Sequence, residues 1–187
     1  MQNVTSANLR VTLSGTVTDT FDLWTPEASF TINQDTSFTN GEGSGQVNFV
    51  WSKSGSMGAS GSNTIDLIGS EEDIYGNVMA LASLKSLIIR NTSTTGSQLN
   101  ITTNGIGFVT GTSPSIPVTA GGVLVLTHVT TGWALSAGSA DTIVITNANA
   151  SNGATYEIMI AGVKVDASSS SSSYSSASSV NSSSSSS

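Results

Sequence analysis

Cysteine is absent from this chain of 187 residues, which excludes disulfides and thiolate metal centres. Charge is scarce as well. Asp, Glu, Lys and Arg make up 9% of the residues, against about 25% in an ordinary soluble domain. The cations are Arg10, Lys53, Lys85, Arg90 and Lys164, and 12 acids outnumber them for a net charge of −7. So few cations cannot supply the footprint that phosphate backbones require, and nucleic acid is not expected as a partner. No apolar run approaches the roughly 20 residues of a membrane helix, so no membrane partner is expected either. Three Trp and three Tyr leave few rings for the aromatic platforms of a carbohydrate cleft.

Ser, Thr, Asn and Gly fill the space that charges vacate. Such a surface suits a protein that packs against many copies of itself or works outside a cell. The opening residues 1–5 (MQNVT) lack the basic and apolar regions of an export leader. A virion protein, folded in a host cytoplasm and freed by lysis, would satisfy both observations. The length allows one domain with a tail, and a globular part of about 150 residues buries roughly 70% of its unfolded surface.

The densest apolar run in the middle of the chain is LKSLIIRN at 84–91. Its consecutive Leu87, Ile88 and Ile89 predict a strand covered on both faces. A turn or single helical turn across 70–77, with Ser70 as its cap and Glu71, Glu72 and Asp73 matching its dipole, leads into a long strand over 80–91. A short helix over 78–84 is the rival reading. Before it, residues 8–17 alternate as a half-buried strand, with Leu9, Val11 and Leu13 on one face. Residues 28–32 read as a short strand ended by Asn33-Gln34-Asp35, and 40–45 (NGEGSG) as a turn. Residues 46–53 read as a strand, 54–63 as a Gly/Ser loop and 64–68 as another short strand.

In the second half the strands are 98–103, 105–109, 118, 123–129, 133–135, 142–147 and 155–165. Gly121-Gly122 reads as a hairpin connection between 116–118 and 123–126. About ten short strands predict an all-β fold, an antiparallel β-sandwich or jelly roll, over residues 1–166. Residues 1–58 are a possible N-terminal arm or subregion of it. The expected core is Val11, Leu13, Phe49, Trp51, Leu87, Ile89, Val125, Trp133, Ile143, Ile145, Ile158 and Ile160. From Ala167 the composition changes: 16 of the last 21 residues are serine. Residues 167–187 carry too little apolar area to order alone. Either a neighbour holds this tail, or serine stands in for residues of unestablished identity.

Chemistry is sparse. His128 is the single histidine, and its apolar strand neighbours point to a packing role rather than to a Ser-His-acid triad. Asp66 with Glu71, Glu72 and Asp73 could offer oxygens to Ca²⁺, but the spacing matches no EF-hand loop and a solvated acidic turn explains it. Asp19, Asp22 and Glu27 read the same way. Paired carboxylates for glycosidase chemistry would also want aromatic platforms, whereas Trp24, Trp51 and Trp133 sit beside apolar strand residues as core side chains would. Sequons at Asn3, Asn91, Asn100, Asn149 and Asn181 follow from the abundance of Ser and Thr, and glycosylation is not expected without a leader. No catalytic residue, cofactor or metal site is therefore assigned.

Five local patterns in order carry a resemblance: TIDL at 64–67, DIYGN at 73–77, LKSLIIRN at 84–91, GWAL at 132–135 and TYEIMIAG at 155–162. Together they resemble small structural proteins of tailed bacteriophage virions over about residues 60–165. The resemblance implies a non-enzymatic β-sandwich on the capsid or tail surface, as in decoration (cement) proteins. It further implies a homotrimer that bridges subunits of the major capsid protein at local three-fold positions. No binding residue is carried over, because the matched positions look like folding determinants. A receptor- or glycan-binding module of a head or tail fibre is the alternative, and a small hydrolase the third reading.

Overall fold

The computed structural model describes residues 4–18, 27–73, 75–76, 78–111 and 114–164, and every regular element among them is a strand. In chain order these are β1 Ser6–Thr18, β2 Glu27–Asn40, β3 Gln46–Val47, β4 Phe49–Met57, β5 Ser62–Asp66 and β6 Leu81–Asn91. There follow β7 Leu99–Thr103, β8 Ile116–Val118, β9 Val123–Thr127, β10 Trp133–Ala134, β11 Thr142–Asn147 and β12 Ala154–Lys164. The fold is all-β, as expected. Expectations for Asp19, Asp22, Trp24, Val165 and the serine tail fall outside the described residues.

Two antiparallel sheets make the sandwich. One has the order β10-β6-β12-β4 with β9 also on β6, and the other the order β5-β11-β7-β8. Their inner faces share one core, in which Phe49, Trp51, Leu87, Ile89, Ile158 and Ile160 meet Ile65, Leu99, Ile101, Ile143 and Ile145. Strict alternation puts them there: β11 buries Ile143, Ile145 and Asn147 and leaves Thr142, Val144 and Thr146 half-buried. Val125 and Trp133, also expected in the core, are half-buried instead.

The run at 84–91 is indeed central, with β12 on one side and β9 and β10 on the other. Its apolar spacing needs explanation, because Leu81, Leu84 and Leu87 are three apart and all are buried in one core. In a regular strand, residues three apart point to opposite faces. The register resolves this: Ala161 pairs with Ser86 and Gly162 with Leu84, so Lys85 is looped out. Val163 pairs with Ser83 and Lys164 with Leu81, so Ala82 is looped out as well. Each bulge flips the phase once, and all three leucines reach the interior.

Other expectations change. No helix forms over 78–84; the chain turns at 67–70 and enters β6 at Leu81. Residues 54–57 continue β4 rather than forming a loop, because Gly55 pairs with Tyr156 and leaves room for its ring. Residues 105–109 are turn and bend, closed by Val109 N–H donating to the Ile106 carbonyl. Gly121-Gly122 does not close a hairpin, since β8 pairs with β7 in one sheet and β9 with β6 in the other. That turn carries the chain between sheets. Asn91 pins it, its amide donating to the Val118 carbonyl and its backbone bonding to both Gly121 and Gly122.

The largest departure lies in the first 40 residues. Asn33-Gln34-Asp35 does not end a strand; β2 runs through it for 14 residues, paired in unbroken register with the 13 of β1. The two strands form a ribbon, joined at its foot by a short parallel pairing of β2 with β3. Phe38 and Val47, with Val4, pack on Ala161 and anchor that foot to the sandwich. Beyond it, Val11 and Leu13 are exposed rather than core. Alternation puts them on one face of the strand, but among the described residues no second sheet covers that face.

Candidate functional site on the outer face of the five-stranded sheet

Cross-strand register arranges the outer face in three rows. Val50, Ala161, Ser86 and Thr127 form the first, which the foot of the ribbon overlies. Ser52, Met159, Ile88 and Val125 form the second, and Ser54, Glu157, Arg90 and Val123 the third. The second and third rows frame an open groove of about 470 Å³. Its floor is apolar, with Met159 and Val123 about half exposed. Arg90 and Glu157 sit 3.6 Å apart across neighbouring strands, so the one charge pair there is already closed, and being exposed it adds little stability. Ser52, Ser54 and Lys53 complete the wall. The lining contains no aromatic ring, and its hydroxyls have no histidine among them. The groove can hold a neutral or mixed surface by contact and hydrogen bonding.

The ionisable groups picked out from sequence lie elsewhere and hold loops. Lys53 reaches Glu71 at 2.9 Å, and the Trp51 indole donates to the Glu72 carbonyl at 3.0 Å. Asp73 accepts from the Tyr75 N–H, and Asp66 from the Ile68 N–H, each at two residues' separation. These are turn-making contacts of the kind short carboxylates make. Among the described residues no three of His, Asp and Glu converge on a common point. Glu27 opens β2 and is exposed. His128 Nδ1 accepts the Gly132 N–H at 3.1 Å, and its ring meets Trp133 edge-on at 5.5 Å. Histidine and tryptophan thus shape the 128–132 loop. Of the sequons, Asn91 is fully buried, Asn149 caps the 149–152 turn and Asn100 accepts from Gln98. Compared with known protein families and with curated protein sequences, the chain matches none.

Two buried ionisable groups carry the tightest electrostatics. Asp141 accepts from the Gly138 N–H and, at 2.6 Å, from the Asn104 amide, and these donors hold its carboxyl below the usual carboxylate range. Lys85, looped out by the bulge and buried, donates to the carbonyls of Gly43 at 2.5 Å and Thr130 at 2.7 Å. It clips the turn below the ribbon to the 128–132 loop. In the sequence it stands out only as one of five cations. The three-residue spacing of Leu81, Leu84 and Leu87 was the available signal, since it requires a skipped residue.

Burial lowers the Lys85 pKa below the ordinary amine value. Between the folded and unfolded pKa values the unfolded chain binds more protons, so stability rises with pH across that alkaline window. Both carbonyls keep a donor, because a neutral amine retains two N–H groups. The wild type is therefore expected to gain stability relative to Lys85→Met as pH rises toward the free-lysine pKa. Urea titrations at several alkaline pH values check this, and a pH-independent difference would contradict it.

Proposed function

We propose that the chain is a non-enzymatic virion structural protein of a tailed bacteriophage, a capsid decoration protein that binds the capsid as a homotrimer at local three-fold positions and bridges subunits of the major capsid protein. The observation that carries the reading is the ribbon. A closed sandwich extends a long, amphipathic two-stranded arm from its foot, a shape suited to holding neighbouring molecules rather than to turning over a substrate. The low charge of the surface and the resemblance over residues 60–165 support the same reading. The groove on the outer face favours a second reading, a receptor- or glycan-binding module of a head or tail fibre.

Gel analysis of purified virions separates them. A band comparable in intensity with the major capsid protein supports decoration. A far fainter band supports the fibre module, and no band in the particles overturns both.

A further inference from the structure

We infer that the exposed face of the β1–β2 ribbon is a self-association surface, covered in solution by the same face of a second copy of this chain. The register defines the face. Ala7 pairs with Phe38, Leu9 with Thr36, Val11 with Gln34, Leu13 with Ile32 and Gly15 with Phe30, and directly paired residues point to the same side. At the foot this face is already an interface: Phe38 is 2% exposed and Thr36 7%, closed off by the body of the domain. Further out the same face stays apolar while its cover ends. Exposure reaches 43% at Val11, 60% at Leu13, 64% at Ile32 and 44% at Phe30.

The opposite face is polar, with Asn8, Thr12, Ser14, Thr31, Asn33 and Ser37 around an Arg10–Asp35 ion pair of 2.8 Å. Such a division is the pattern of a strand pair with one side wet and one side packed. The Phe30 ring lies across Gly15, where any side chain would collide with it. The glycine thereby lets the aromatic lie flat and fill the apolar side.

Charge, shape and area together choose the occupant. The face carries no ionised group, and the arm's one described ion pair is closed on the other side, so nothing there selects a charged partner. An isolated two-stranded ribbon is marginal in water, whereas two ribbons packed face to face have the strands and the apolar layer that stability needs. The identical face of another copy matches it in length, period and polarity. Outward of the buried foot, nine residue pairs span roughly 30 Å, and two strands are about 10 Å wide, giving about 300 Å² per face. Two such faces bury about 600 Å², well under the roughly 1,200 Å² of a standard stable interface. The association is therefore reversible on dilution.

The inference rests on the arm alone and holds whether or not the chain sits on a virion. Light scattering of the full chain across a dilution series should show an oligomer at high concentration that dissociates when diluted. The oligomer should persist in about 1 M salt, because screening acts on exposed charges and the contact has none. The double variant Leu13→Glu/Ile32→Lys should be monomeric; its new charges face each other across the ribbon and keep the hairpin paired. Thr12→Glu/Asn33→Lys, the same change on the polar face, should associate as the wild type does. In a chain without other cysteines, Leu13→Cys should crosslink copies through a short bismaleimide and Thr12→Cys should not. A wild type that is monomeric throughout overturns the inference, as does an oligomer that both double variants preserve. Binding of the monomer to neutral phosphatidylcholine vesicles, lost in Leu13→Glu/Ile32→Lys, would make a lipid surface the occupant and overturn it too.

Discussion

Ile89→Ala is expected to lower the free energy of unfolding by about 2–5 kcal/mol. Ile89 is fully buried on the inner face of β6, paired with Ile158 on one side and Leu124 on the other. Removing its branched end deletes contacts with both neighbours and with the facing sheet. The flanking backbone cannot collapse into the gap, because β6 is hydrogen-bonded along both edges. A denaturant titration measures the loss as a shift in midpoint at unchanged slope. A loss under about 0.5 kcal/mol would show that the site is not packed as part of the core.

This strand was legible because local and global signals agree on it. Consecutive β-branched and leucine residues at 84–91 and at 142–147 admit few readings besides an interior strand, and both strands lie in the sandwich. The first 40 residues were less legible for a physical reason. Alternation of Leu9, Val11 and Leu13 states which residues share a face, but not what covers it. The polar triplet Asn33-Gln34-Asp35 has turn chemistry, yet Asn33 and Asp35 lie on the polar face of the ribbon and Gln34 is exposed beside Val11, so the ladder runs through. Gly121-Gly122 poses a similar ambiguity. A hairpin and a crossing between sheets need the same tight turn, and only long-range pairing with β6 or β7 decides between them.

The candidate site was the least legible part. Ser52, Ser54, Glu157, Met159, Ile88, Arg90 and Val123 come from four strands, and only register brings them into rows. The residues that looked chemical in sequence, His128 and the acids at 66 and 71–73, serve turns instead. In a chain this poor in charge, a buried ionisable group can instead tie loops together. Lys85 and Asp141 are the two clearest cases.

The bulge that frees Lys85 depends on a glycine in the facing strand. Gly162 pairs with Leu84 just where the register slips. A Cβ there would run into the Ser83 backbone carbonyl and would lie 3.3 Å from a Leu81 methyl. The strand has no freedom to retreat, since β4 lies on its other edge and the Asn48 N–H donates to the Gly162 carbonyl. Gly162→Ala is therefore expected to cost about 1–3 kcal/mol as an overpacking change, despite adding a single methyl group. Gly58→Ala provides the comparison: its Cβ would meet nothing within 4 Å. That change should be neutral or slightly stabilising, because it mainly restricts the unfolded chain. Thermal melts of the two variants beside the wild type test the pair. Equal melting temperatures would mean that β12 can move away from Ser83, and that the slipped register, with the outward-turned Lys85 it produces, is not held by the missing side chain at 162.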